Sequence, residues 1–104
     1  MSARFSLTVT TPTGQVLETD LEALRVPAVD GQLGVLARHA PLLAELGQGL
    51  VRIRSAGDTR YVAVAGGFLQ VADNVATILA DAAVVADGAT STAVAAALAA
   101  LPTH

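Results

Sequence analysis

The sequence predicts an all-β domain, an antiparallel β-sandwich or barrel of many short strands, followed by one short C-terminal helix. Most of the chain alternates apolar and polar residues with period two, which is typical of strands buried on one face. Turn-forming residues recur at short intervals between these segments. The pattern becomes helical only after Asp87-Gly88. Many short strands with turns between them favour a sandwich or a barrel.

Length and composition restrict the class of protein. The chain has 104 residues, enough for one domain, and an apolar fraction of 53%, too high for a disordered segment. All six basic residues are scattered arginines and the net charge is -3, which argues against a nucleic-acid partner. There is no cysteine, and no apolar run approaches the roughly 20 residues needed to span a bilayer. The N-terminus lacks the apolar region of a secretory signal.

The first elements follow from alternation and turn chemistry. Phe5, Leu7 and Val9 alternate with polar residues and predict a half-buried first strand. The segment Thr11-Pro12-Thr13-Gly14 predicts a turn, after which extended structure resumes. Pro27 has no backbone N–H to donate, so it predicts a strand end or an edge position.

Glycines and short polar steps divide the rest of the sandwich. Asp30-Gly31 and Gly34 predict turns on either side of a short strand, and the segment 46–49 predicts a corner. Ala56-Gly57-Asp58 and Asp73-Asn74 predict the turns of two later hairpins. Gly66-Gly67 predicts a β-bulge or a close approach of two backbones.

The tail predicts one short helix. Thr90-Ser91-Thr92 offers N-cap oxygens, and Ala93 to Leu101 is a strong helix-forming segment that Pro102 ends. Val94, Leu98 and Leu101 form one apolar stripe. A helix of about ten residues is marginal alone in water, so it must dock on the sandwich or on a partner. We divide the chain into a β-sandwich domain (1–86) and a helical tail (87–104).

His39 is the candidate for chemistry, but its surroundings do not favour a catalytic or metal-binding role. A metal site would need further ligands, and the only other histidine is His104. As a general base His39 would need an orienting carboxylate, and Asp30 and Glu45 are the candidates in sequence. We favour a histidine whose ring bonds a backbone group in an irregular loop. The sequence therefore predicts no catalytic residue, cofactor or metal.

Three arginines, Arg52, Arg54 and Arg60, predict a basic patch across one hairpin. A solvated outer face is the favoured interpretation, and an acidic partner is the second.

Several short segments, in their order and spacing, resemble the epsilon subunit of F-type ATP synthases, called delta in mitochondria. The residues that carry the resemblance are Val26-Pro27, Asp30-Gly31, Leu33-Gly34-Val35-Leu36, His39-Ala40-Pro41-Leu42, Leu46, Gly49, Tyr61-Val62-Ala63-Val64, Gly66-Gly67-Phe68-Leu69-Gln70-Val71, Asn74-Val75 and Thr77-Ile78-Leu79-Ala80-Asp81. The resemblance covers about residues 4 to 86.

The resemblance implies a ten-stranded sandwich at the foot of the central stalk, bound to the gamma subunit and to the polar loops of the c-ring. Such a subunit is not catalytic and couples ion-driven rotation to ATP synthesis. As part of the complex it would lie peripherally on the cytoplasmic face of the plasma membrane.

Carried over by position, the resemblance also implies the partner-binding residues. The c-ring interface would be formed by Asp30, Gly31, Gln32 and Leu33. The gamma interface would include Thr11, His39 and Ala44. Many relatives have Glu at the position of Gln32, so here Asp30 would supply the charge or the contact would be neutral.

The tail departs from the family. Relatives commonly carry a two-helix hairpin that inhibits ATP hydrolysis, whereas here one helical segment, Thr92 to Leu101, is present. The Asp-x-x-Arg-Ala start associated with ATP binding is also absent, the nearest residues being Asp87 to Ser91. We therefore expect coupling without inhibition by the extended-helix route.

The alternative from another class is a free-standing sandwich that binds a sugar or a peptide. Such a module normally carries an aromatic platform, and this chain has three aromatic residues, Phe5, Tyr61 and Phe68. A small hydrolase is less favoured still, because no triad or metal cluster can be assembled from the sequence.

Overall fold

The computed structural model describes residues 3–102, which form seven strands and one helix. The elements in chain order are β1 (Phe5–Thr11), β2 (Gly14–Leu21), β3 (Ala23–Ala28), β4 (Gly31–Leu36), β5 (Leu42–Ser55), β6 (Asp58–Ala72), β7 (Val75–Val85) and α1 (Ser91–Ala99). All seven strands belong to one continuous sheet with the order β2-β1-β7-β6-β5-β3-β4.

The sheet folds over itself because its three longest strands turn a shared corner. The change is visible in β6, where the residues facing the core are Val62 and Val64 before Gly66-Gly67 but Leu69 and Val71 after it. The pairing of β6 with β5 and with β7 keeps one register through this point, so the three strands bend together. One half of each strand lies in each layer of the sandwich.

The predicted all-β sandwich is confirmed. The first layer contains β2, β1, the N-terminal half of β7 and one half each of β6 and β5, in that order. The second layer contains β4, β3 and the other halves of β5, β6 and β7. The structure has seven continuous strands rather than about ten. Each of the three bent strands contributes one segment to each layer, so the two layers together contain ten strand segments. The corner predicted at 46–49 is therefore a bend within β5.

One strand pair differs from the predicted antiparallel arrangement. β1 pairs in parallel with β7, with Ser6 opposite Val75 and Thr10 opposite Leu79. A parallel pair requires a long crossover connection, which strands β2 to β6 provide here. Period-two alternation is the same in parallel and antiparallel strands with one buried face, so it does not specify strand direction.

One prediction for an individual residue was wrong, because Gly34 lies inside β4 rather than in a turn. Pro27 is the last residue but one of β3, which agrees with the predicted strand end, although it is buried and β3 is not an edge strand. Pro27 is tolerated because the β3–β5 register shifts between Arg25 and Ala28, which leaves it without a partner in β5. A Cβ on Gly49 would lie 2.9 Å from the Cβ of Pro27, so the absence of a side chain there lets β5 pass over the proline ring.

The core is apolar and lies between the two layers, and a second, small cluster lies under the helix. In that cluster Ala97 and Leu101 pack against Ala63 of β6. The backbone N–H of Ala93 donates to the Thr90 hydroxyl at 3.2 Å, which confirms the predicted N-terminal cap. The helix therefore docks on the second layer of the sandwich. Its most buried contact is Ala97 rather than Val94 of the predicted stripe, and Leu101 lies beyond its end.

Candidate partner-binding surfaces

The β3–β4 hairpin presents a polar tip held on a rigid base. Asp30, Gly31 and Gln32 are exposed, whereas Leu33 is half-buried and packs against the main core. The backbone N–H of Val29 donates to the carbonyl of Glu45 at 3.0 Å and fixes the tip against β5. The structure therefore displays three of the four residues predicted for the c-ring interface and uses the fourth as an anchor.

His39 lies in the loop between β4 and β5. Its Nδ1 is 2.7 Å from the carbonyl oxygen of Ala40, and its backbone N–H donates to the carbonyl of Leu36 at 3.2 Å. The interpretation of His39 as a ring bonded to backbone in an irregular loop is thus confirmed. His104 lies outside the described residues, and within residues 3–102 no group of three or more His, Asp or Glu side chains is placed to hold a metal ion.

Thr11 and Ala44 are the other residues predicted to face gamma. The Thr11 hydroxyl lies 3.0 Å from that of Thr13 and donates to the carbonyl of Gly14 at 3.3 Å, so it helps to hold the β1–β2 turn. Ala44 is half-buried in β5, opposite Leu69 of β6. The three predicted residues therefore lie on three different elements.

The Asn74 side chain joins three segments, a role that the sequence analysis missed. Its Oδ1 accepts from the backbone N–H of Arg38 at 2.8 Å, and its Nδ2 donates to the carbonyl of Arg4 at 2.8 Å. Asn74 lies in the Asp73-Asn74 turn at φ 64°, a left-handed conformation that Asn tolerates well. Its amide therefore holds the loop that carries His39 against the start of β1.

Replacing Asn74 by Ala is expected to lower the free energy of unfolding by about 2 kcal/mol. The change removes two hydrogen bonds, each contributing about 1 kcal/mol, and places Ala at a positive φ. Urea denaturation measures the loss. The matched control is Asp73→Ala, at φ 52° in the same turn, because no hydrogen bond of the Asp73 side chain occurs among the described residues. Equal losses in the two variants would contradict the linking role.

The first layer carries an exposed apolar surface that the sequence did not reveal. We call it the outer apolar face, and its members are Leu43, Phe68, Val75 and Leu79, which are exposed by 71%, 49%, 42% and 55%. They share one side because Phe68 is paired with Leu79, and because Leu43 is paired with Gln70, two residues along from Phe68. Contiguous exposed apolar residues of this kind mark interaction sites.

The apolar run Ile78-Leu79-Ala80 was the available signal for this face. Ile78 and Ala80 are buried, so Leu79 between them must point outward. A polar residue at that position would have given ordinary alternation. A leucine there means that the outer side of the strand is apolar as well.

Within residues 3–102, the structure contains no helix with the length and hydropathy of a membrane span.

The comparisons with known proteins agree in the family that they indicate. Residues 4–86 match the family model described as the ATP synthase delta/epsilon chain β-sandwich domain. The ATP synthase epsilon chain of Symbiobacterium thermophilum is 45% identical over 86 residues, which are 82% of this chain and 62% of the relative. The ATP synthase epsilon chain of Bacillus subtilis is 45% identical over 80 residues, 77% of this chain and 61% of the relative.

Solved structures show the same sandwich. A chain in the cryo-EM structure of the Euglena gracilis mitochondrial ATP synthase (OSCP/F1/c-ring, rotational state 1) superposes with a TM-score of 0.75 at 27% identity, covering 82% of this chain and 55% of that chain. A chain in the Tetrahymena thermophila mitochondrial ATP synthase central stalk/c-ring structure gives a TM-score of 0.65 at 19% identity, covering 81% and 69%, and shows the fold alone.

The chain spans about three fifths of the length of the curated relatives that it matches. The family match nevertheless covers most of the chain, and it includes all the predicted interface residues. The chain belongs to the ATP synthase delta/epsilon chain family, through its β-sandwich domain.

Proposed function

We propose that this protein is a non-catalytic subunit of the central stalk of a rotary F-type ATP synthase. It bridges the gamma subunit and the c-ring, and it transmits ion-driven rotation to ATP synthesis. In the complex it lies peripherally on the cytoplasmic face of the membrane. The observation that carries the proposal is the family match over residues 4–86, with about 45% identity to epsilon chains of bacterial ATP synthases.

The outer apolar face is the proposed docking surface for gamma. The residues predicted to face gamma lie near this face in sequence but are not its members: Thr11 follows Thr10, the partner of Leu79. Ala44 follows Leu43 in β5 but is paired with the buried Leu69, so its methyl group turns toward the core. His39 precedes β5 in the adjoining loop. Burying large apolar side chains that are half exposed in the free subunit provides the main favourable term for a stable complex.

The tip of the β3–β4 hairpin is the proposed contact with the polar loops of the c-ring. Asp30 carries the charge at the tip, and Gln32 adds an amide that donates and accepts hydrogen bonds. The bond from Val29 to Glu45 and the packing of Leu33 hold the tip in place without using the exposed side chains. A polar contact of this kind sets orientation and association rate more than affinity.

Replacing Gly31 by Trp separates the two proposed contacts. A Cβ on Gly31 would meet nothing within 4 Å, so the hairpin tip has room for the indole, although φ 122° strains any L-residue there and is expected to cost roughly 1–3 kcal/mol of stability. We expect the variant to bind gamma with wild-type affinity and to lose more than about tenfold in proton-driven ATP synthesis after reconstitution, because a bulky ring blocks the c-ring contact.

The matched control is Gly57→Trp in the β5–β6 turn, where an added Cβ also meets nothing within 4 Å. This control is expected to retain both gamma binding and ATP synthesis. Full ATP synthesis by a folded Gly31→Trp variant would remove the hairpin tip from the c-ring interface. Loss of gamma binding in that variant alone would place the tip at gamma instead.

A further inference from the structure

Three arginines converge on the outer surface of the second layer. Val51 and Ile53 face the core, so Arg52 and Arg54 of β5 point to the opposite side. Arg25 of β3 lies directly opposite Arg52 in the strand register. Arg60, which the sequence placed in this patch, is paired with Ile53 and points to the other side of the sheet. The patch is therefore formed by Arg25 in place of Arg60.

These arginines line a groove of about 350 Å³ beside the edge strand β4. The rest of the lining is aliphatic or glycine, and among the described residues no carboxylate contributes to it. Gly34, opposite Arg25, leaves the groove open, because a Cβ there would meet nothing within 4 Å. The volume lies in the range of sites for small ligands.

The arginines of this groove repel one another, and a bound anion would relieve that repulsion. Like charges placed directly opposite each other on neighbouring strands are destabilising, and Arg25 and Arg52 are such a pair. Arg54 is two residues further along β5, on the same face, so three guanidinium groups are within reach of one small ligand. Arginine binds phosphate oxygens through two parallel N–H donors.

We propose that this arginine groove binds a compact oligophosphate anion, such as pyrophosphate, through its phosphate groups alone. A compact anion fits better than an extended acidic segment, because all three arginines line one groove of about 350 Å³. The lining contains no aromatic side chain, so it offers no stacking surface for a nucleobase. The groove is separate from the outer apolar face and from the hairpin tip.

Isothermal titration of the full chain with pyrophosphate, at constant ionic strength, tests the proposal. We expect saturable one-to-one binding. Arg52→Gln is expected to weaken it by about tenfold, and the double variant Arg25→Gln/Arg52→Gln to abolish it. Both side chains are on the surface, so the double variant should melt at or above the wild-type temperature without ligand. The matched control, Arg60→Gln, should bind within about twofold of wild type.

Three further titrations distinguish the ligand classes. Tripolyphosphate and ATP should bind with equal affinity if the phosphates alone are recognised, whereas a preference for ATP above about tenfold would contradict that claim. A Glu-rich peptide should bind more weakly than pyrophosphate, and tighter binding would assign the groove to an acidic partner. The absence of saturable binding of pyrophosphate by the wild type would overturn the proposal, as would equal losses in Arg52→Gln and Arg60→Gln.

Discussion

The variant Gly67→Ala is expected to lose about 3 kcal/mol or more of its free energy of unfolding. Gly67 has φ 119°, a conformation that costs an L-residue roughly 1–3 kcal/mol. A Cβ there would also overlap the carbonyl oxygen of Leu79 and lie 2.7 Å from the Cα of Ala80, both of them backbone atoms of β7. Relief would require the two strands to separate at the corner, which adds a packing penalty of similar size. Urea denaturation of the two proteins measures the difference.

Gly31→Ala is the matched control, because Gly31 has nearly the same φ of 122° but open space around an added Cβ. It is expected to show the backbone strain without the clash, a loss of roughly 1–3 kcal/mol. The difference between the two variants therefore isolates the contact between β6 and β7. If Gly67→Ala were no less stable than Gly31→Ala, the close approach of the strands would not be a determinant of the fold.

The second large effect concerns the outer apolar face. Phe68→Thr is expected to weaken binding to gamma by about 2 kcal/mol or more, at least about 30-fold, because a central aromatic residue is the typical anchor of an interface. Phe68 is 49% exposed in the free subunit and Thr is compatible with a strand, so stability should change by about 1 kcal/mol or less. Capture of gamma on immobilised protein measures the affinity.

Leu36→Thr is the control for this prediction. Leu36 is 63% exposed, more than Phe68, but it lies in β4 on the outer surface of the second layer. If gamma docks on the outer apolar face, Leu36→Thr binds like the wild type. A similar loss of binding in both variants would indicate that gamma contacts exposed apolar residues without regard to layer, and the proposed docking surface would be wrong.

Much of the fold could be predicted from the local pattern because its turns are determined by the residues within them. The turns at Pro12-Thr13 and Asp73-Asn74 follow directly from residues that favour them, and the Thr90 cap from its hydroxyl. The errors concern features set by neighbouring strands. Gly34 has the composition of a turn residue, and only its pairing with Arg25 shows that it lies inside a strand.

The proposed partner surfaces were predictable only in part, for a related reason. The hairpin tip is a local feature, so Asp30 and Gly31 could be placed in an exposed turn from the sequence. The outer apolar face combines residues from three strands. An aromatic residue such as Phe68 is expected in the core, and only the bend at Gly66-Gly67 shows that its side chain faces outward. The parallel pairing of β1 and β7, which completes this layer, cannot be predicted from the local pattern of apolar and polar residues.

The central claim, that this subunit couples the ring to the catalytic head, is tested most directly by reconstitution. Membranes carrying the rest of the ATP synthase, but lacking this subunit, would be supplied with purified wild-type chain, and proton-driven ATP synthesis would be measured before and after. We predict that synthesis is absent or very low without the chain and is restored at a stoichiometry of one chain per complex. Synthesis that is unchanged by addition of the folded chain would contradict the account.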